Sequence, residues 1–117
     1  MRYLLLIYAD ETRYPRLSPQ ENEKLMGDYR AFSTEVQKAG AYKASDRLQP
    51  TTTATTIRVR NGEMLTTDGP FAETKEQLGG FYMIEAKDLD EAIAWAAKIP
   101  SAKYGSIEVR PIWQYPS

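Results

Sequence analysis

A strand that is apolar on both of its faces constrains this fold more than any other feature. Residues 2–9 alternate Leu4 and Leu6 on one side with Leu5 and Ile7 on the other. A strand of this kind lies centrally in a sheet and is covered from both sides. The fold must therefore place a layer against each face, and a second subunit is one candidate for the second layer.

Two segments carry the signals that start and stop helices. Ser18–Glu21 reads Ser-Pro-Gln-Glu, a capping box with proline at the first helical position, and Gly40 marks the end of that helix. Asp88–Glu91 is a similar start for a second helix, which Pro100 ends. The apolar stripes are predicted at Leu25, Tyr29, Phe32 and Val36 in the first helix, and at Leu89, Ile93, Ala96 and Ala97 in the second.

The remaining strands complete an α+β pattern. They are predicted at residues 41–48, 55–60, 63–67, 80–86 and 107–113. Asn61-Gly62 is a strong hairpin signal, so the strands on either side of it are expected to pair antiparallel. Without this inserted β-hairpin, the order is β-α-β-β-α-β, the ferredoxin-like arrangement. Both helices then cover one face of an antiparallel sheet, and two open faces placed together form a dimer with a cavity between the sheets.

The composition excludes several kinds of chemistry. The 117 residues contain no histidine and no cysteine. A Cys/His zinc site, a disulfide framework and a His-based catalytic dyad or triad are therefore ruled out. Acid–base chemistry has to use Asp, Glu, Lys, Tyr or Arg side chains, or a bound cofactor.

Length and charge restrict the number of domains and the kinds of partner. Residues 1–117 are the size of one domain. A formal net charge of −1 favours neither nucleic acid nor an anionic membrane as a partner. The first apolar run stops at Asp10, too soon for a signal peptide or a membrane span. We therefore expect a cytoplasmic protein.

Three arginines are candidate anchors for an anion. If Ile57 and Val59 face the helices, Arg58 and Arg60 face the open side of the sheet, together with Arg110. Guanidinium groups bind carboxylates and phosphates bidentately. The alternative is a solvated face with cross-strand ion pairs.

Residues 68–80 (DGPFAETKEQLGG) are the most distinctive segment of the chain. Asp68 suits a turn before Gly-Pro, or it is a base beside an apolar cavity. The glycine pair at residues 79–80 indicates close backbone approach or a bend entering the next strand. Phe71 is interpreted as a packing anchor or a substrate contact. Tyr8 and Tyr82 are candidate cavity liners whose hydroxyls can hydrogen-bond a ligand, with core packing as the alternative.

The chain resembles the YCII-related domain family, in its DGPF branch. The resemblance is carried by residues 1–8 (MRYLLLIY), 53–60 (TATTIRVR), 68–80 and 107–113 (IEVRPIW). It implies a ferredoxin-like fold paired as a dimeric α+β barrel. Some members of the family are thought to be enzymes with a His-Asp pair in the barrel cleft, and this chain, without histidine, does not carry that pair.

These observations together predict a homodimer with a small-molecule cleft between the sheets and residues 68–80 at its rim. The protein would bind a small polar or anionic organic compound there; if it also transforms that compound, it does so as a cofactor-free enzyme with Asp68 as base. No metal is expected, because a Cys/His zinc site is excluded and the adjacent carboxylates Asp10 and Glu11 are only a weak signal for a hard metal ion. No cofactor is expected, because neither a phosphate loop nor a nicotinamide-binding motif occurs. The alternatives are a non-catalytic ligand-binding or regulatory module and a purely structural interaction domain.

Overall fold

The computed structural model describes residues 1–116, which contain six strands and two α-helices. The strands are β1 (Arg2–Ala9), β2 (Tyr42–Arg47), β3 (Thr55–Arg60), β4 (Glu63–Asp68), β5 (Gln77–Glu85) and β6 (Ser106–Pro111). The helices are α1 (Pro19–Lys38) and α2 (Leu89–Ala97). Short 3-10 turns follow β1, precede β3 and follow α2, at Glu11–Arg16, Thr51–Thr53 and Pro100–Lys103.

Four strands form one antiparallel sheet in the order β2-β5-β1-β6. The doubly apolar strand β1 is central, as its sequence predicts. Side chains from both helices pack on the same face of this sheet, so the ferredoxin-like α+β arrangement is confirmed. None of the described helices is both long and apolar enough to cross a bilayer.

The core lies between this sheet and the helices. Leu5 and Ile84 are fully buried at its centre, and Val36 of α1 packs with them. Phe32 meets the Tyr82 ring edge to face, with the ring centroids 5.0 Å apart. The opposite face of the sheet has no cover within residues 1–116, so Leu4 stays half-exposed there.

Both helix starts form as predicted. The Ser18 hydroxyl accepts a hydrogen bond from the Glu21 amide, and the Glu21 carboxylate accepts one from the Ser18 amide at 2.9 Å. The Asp88 carboxylate caps α2 by accepting a bond from the Glu91 amide. These local bonds fix where each helix begins.

The predicted apolar stripe of α2 is wrong in part. Ala92 and Ala96 are buried against the sheet, whereas Leu89 and Ile93 are each 48% exposed. The two small alanines, four residues apart, let the short helix lie close to the sheet. Ile99, just beyond the helix, is buried in the same core.

The inserted hairpin is present, but it stands apart from the main sheet. Strands β3 and β4 pair only with each other in the described chain. Their turn has positive φ at both Asn61 (52°) and Gly62 (78°), which is the geometry of a type I′ turn. The expectation that Ile57 and Val59 face the helices is wrong, since they are 58% and 61% exposed.

This projecting hairpin enlarges the molecule. The radius of gyration is 16.4 Å, against about 13 Å for a compact domain of this length. The hairpin therefore reaches out from the body instead of folding back on it.

Candidate functional site

A cavity of about 470 Å³ lies on the helix-covered side of the sheet. It sits under the N-terminal half of α1, where β1 ends, β2 ends and β5 begins. Its size falls within the usual range for small-molecule sites. The sequence predicted a cleft on the other, open face, so this cavity is an addition to that prediction.

Two glycines near the start of β5 leave room for the cavity. Gly79 and Gly80 border it and contribute no side chains to fill it. Gly80 also faces the carbonyl oxygen of Asp46, and a β-carbon there would lie 2.8 Å from that oxygen. The glycine pair therefore both keeps β2 close to β5 and leaves room beneath α1.

The walls are mainly apolar and aromatic. The aliphatic part of the lining comes from Ile7, Ala9, Pro15, Leu25, Met26, Leu48 and Pro50. The aromatic part comes from Tyr14, Tyr29, Phe81 and Tyr82. Such a surface suits a ligand with an apolar or aromatic body.

Two of these tyrosines have their hydroxyls paired with serines. The hydroxyls of Tyr29 and Ser101 share a hydrogen bond of 2.5 Å, and those of Tyr82 and Ser33 share one of 2.7 Å. Burial raises the pKa of Tyr29 to about 12, and burial also raises the pKa of Tyr82. Both phenols therefore stay protonated at neutral pH and act as neutral hydrogen-bonding groups.

Arg47 places a positive charge at the edge of the cavity. It lies directly opposite Gly80 in the β2–β5 ladder, and its guanidinium carbon is 5.6 Å from the centroid of the Tyr14 ring. Among residues 1–116, Arg47 takes part in no ion pair. Its guanidinium is thus available to an anionic group on a ligand.

Glu11, a carboxylate in the lining, is already bonded. It accepts hydrogen bonds from the amide of Thr51, at 3.0 Å, and from the Thr51 hydroxyl. These bonds fasten the Thr51–Thr53 turn to the end of β1. Glu11 therefore stabilises the wall of the cavity.

Residues 68–80 brace the same wall. The Gln77 side chain accepts a hydrogen bond from the Glu11 amide at 2.9 Å and donates one to the Thr74 carbonyl at 2.6 Å. Gly69 adopts a φ of 105°, and its amide donates to the Ala54 carbonyl at 2.7 Å. The segment ties the hairpin, the Glu11–Arg16 turn and β5 together.

A second, more open depression lies on the outer side of this brace. It measures about 390 Å³ and is lined by residues that include Thr51, Pro70, Glu73 and Gln77. Gln77 borders both spaces and therefore lies between them.

Comparison with known proteins identifies the family. A model of the YCII-related domain matches residues 1–116. The chain belongs to the YCII-related domain family. An uncharacterised protein from Rhizobium meliloti (strain 1021) is 44% identical over 117 residues, which cover 98% of this chain and 94% of the relative. The predicted family is thus confirmed, while its DGPF branch stays a prediction.

In this YCII-related chain, one of the seven predicted site residues borders the cavity. That residue is Tyr82. Tyr8 is half-buried on the open face of the sheet, where Arg110 also lies and donates to the Glu108 carboxylate at 2.8 Å. A single chain does not bring these two open-face residues to the cavity.

The other four predicted residues lie on the hairpin and the loop that follows it. Arg58 and Arg60 are exposed on β3, and Asp68 is exposed at the end of β4. Phe71 is 79% exposed, so within one chain it is not the packing anchor that the sequence suggested. Their predicted roles at a cleft stay predictions.

Sequence reasoning missed Arg47, Tyr14 and Gln77. Arg47 is the last residue of β2, and its importance depends on Gly80, which is 33 positions later and directly opposite it. The glycine pair was the available signal, because it predicted a close backbone approach at this place. Within residues 1–116, no three metal-ligating side chains converge.

Proposed function

We propose that the protein binds a small organic anion in the cavity beneath α1. The observation that carries this proposal is a mainly apolar cavity of about 470 Å³ with the unpaired guanidinium of Arg47 at its edge. The apolar body of the ligand packs against Met26, Tyr14 and Tyr29. Its carboxylate or phosphate lies at Arg47.

The chemistry of the lining favours binding over catalysis. The Tyr29 and Tyr82 hydroxyls are protonated and already paired with serines. Glu11 is held by Thr51. These groups thus fix the shape of the site, and Arg47 supplies its positive charge.

Replacing Arg47 with alanine is expected to weaken binding of an aromatic carboxylate about tenfold or more, because a charge-assisted hydrogen bond contributes about 1.5–3 kcal/mol. Calorimetric titration with phenylacetate and related carboxylates measures this loss. The matching primary amides are expected to bind the wild type weakly and to be insensitive to the substitution.

Arg30→Ala provides the matched control for Arg47→Ala. Arg30 is exposed on α1, 3.9 Å from the exposed Glu23 carboxylate and outside the cavity lining. Its removal is expected to leave carboxylate affinity unchanged. Equal affinity in wild type and Arg47→Ala, or equal binding of acids and amides, contradicts the proposed anchor.

We also propose that two chains pair through the open faces of their sheets. On this face the side chains of Leu4, Leu6, Phe81 and Met83 are partly exposed. An open sheet face with apolar side chains needs a cover. Light scattering is expected to give twice the 13.3 kDa mass of one chain. A mass near 13.3 kDa in dilute buffer refutes the dimer.

Catalysis by Asp68, with Arg58, Arg60 and Arg110 as anchors, remains a proposal that depends on this dimer. The three residues on the hairpin are exposed in one chain, so a water-poor cleft around them requires a second chain to cover them. Once a substrate is known, an Asp68→Asn variant with wild-type turnover eliminates the role of Asp68 as a base.

A further inference from the structure

The β3–β4 arm, residues 55–68, presents an apolar face that its own chain leaves uncovered. Directly opposite residues of the hairpin share a face, so Val59 pairs with Met64 and Ile57 stands beside them. These three side chains are 58% to 67% exposed. A two-stranded hairpin is marginally stable by itself, so a cover for this face stabilises the arm.

The two faces of the arm differ in charge. The apolar face is completed by Thr55 and Thr66. Its one charged residue, Asp68, lies at the root of the arm, the end away from the Asn61-Gly62 turn. The opposite face carries Arg58, Arg60 and Glu63, together with the exposed Leu65. When the apolar face docks, the charged side chains on the outer part of the arm therefore stay in water.

The arm lies beside the body of the molecule. The principal extents are 48 × 48 × 18 Å, and 18 Å is about the thickness of one helix layer on one sheet. A strand of six residues spans about 20 Å. The root is fixed, because Thr56 donates to the Gly69 carbonyl at 2.9 Å and the Gly69 amide donates to Ala54. The arm thus reaches past the edge of its own sheet.

We propose that the apolar face of this arm docks on a second copy of the chain, where it extends the interface formed by the open sheet faces. The inference rests on the homodimer proposed above and adds its second contact. Rotational symmetry supplies the contact twice, once from each arm.

The size of the open face supports a second copy as the occupant. Strands of eight, six, nine and six residues present about half of their side chains there, about 14 in all. A stable interface uses about 20–30 residues on each side. The arm provides the missing contacts, and the apolar part of its face, away from Asp68, matches the apolar side chains of Leu4, Leu6, Phe81 and Met83.

Dilution experiments on charge variants test this inference. Val59→Asp places a carboxylate in the proposed contact and is expected to raise the dimer dissociation constant at least about tenfold. Thr67→Asp adds the same charge to the other face of the same hairpin and is expected to leave the constant unchanged. Sedimentation equilibrium over a concentration series measures both.

A third variant separates failure of the arm from failure of the dimer. Met83→Asp lies on the open sheet face and is expected to dissociate the dimer. A dimer broken by Met83→Asp but unaffected by Val59→Asp overturns the arm contact and keeps the homodimer. A wild type that is monomeric at every concentration overturns both.

Fluorescent labelling covers the case in which Val59→Asp fails to fold. The chain has no cysteine, so a Val59→Cys variant takes a single environment-sensitive dye, and Thr67→Cys takes the control label. The dye at position 59 is expected to shift its emission to the blue as the dimer forms, while the control dye does not. Equal behaviour of the two labels overturns the contact.

Discussion

Gly80→Ala is expected to lower the free energy of unfolding by about 2–3 kcal/mol. A β-carbon at this position would lie 2.8 Å from the Asp46 carbonyl oxygen and 3.5 Å from the Cα atom of Arg47. Because both are backbone atoms of β2, no side-chain rotation relieves the contact. The edge strand has to move away from β5, which strains the hydrogen bonds between them. Urea unfolding followed by circular dichroism measures the loss.

The neighbouring glycine is the matched control. A β-carbon on Gly79 has no atom within 4 Å, and its backbone φ is not positive. Gly79→Ala is therefore expected to change stability by less than about 0.5 kcal/mol. Equal losses for the two variants contradict the role of close β2–β5 packing and point to backbone flexibility as the common cause.

Gly80→Ala is also expected to disturb the proposed binding site. Arg47 lies directly opposite Gly80, so a displaced β2 carries the guanidinium away from the cavity. Gly80→Ala is then expected to weaken carboxylate binding under conditions where the variant is fully folded. The glycine pair that ends the 68–80 segment thus connects the most distinctive motif of the sequence with the proposed anion site.

Local signals explain why much of the fold was predictable. The capping box at Ser18, the Asn61-Gly62 turn and the two apolar faces of β1 each depend on residues close together in sequence. Each signal matches what its segment forms in the structure. Their order along the chain then restricts the topology to a ferredoxin-like sheet.

Contacts between distant segments explain what the sequence did not predict. Alternation at Ile57 and Val59 is typical of a half-buried strand, but only hydrogen bonds to the main sheet could have placed them in the core, and β3 makes none there. The cavity likewise depends on Arg47 and Gly80 meeting across a ladder. The α2 stripe failed because helix rotation follows the closest packing of Ala92 and Ala96 on the sheet.

Tyr29 is expected to make the protein unstable in alkali. Burial raises the pKa of Tyr29 to about 12 in the folded chain, although its hydrogen bond with Ser101 acts in the opposite direction. An unfolded tyrosine has a pKa of about 10. The unfolded chain therefore releases this proton first. The stability contributed by neutral Tyr29 is complete below about pH 10 and is lost as the pH rises toward 12, on the order of 2 kcal/mol in total.

Tyr29→Phe is expected to reduce this alkaline loss, because phenylalanine has no proton to release in either state. The variant is less stable than wild type at neutral pH, since the fully buried Ser101 hydroxyl loses its partner. Tyr115→Phe serves as the control, because Tyr115 is 83% exposed. Urea unfolding at a series of pH values compares the three proteins. If the free energy of unfolding falls as steeply between pH 10 and 12 in Tyr29→Phe as in wild type, other groups cause the loss. Tyr82 is then the first to test, because burial raises its pKa as well.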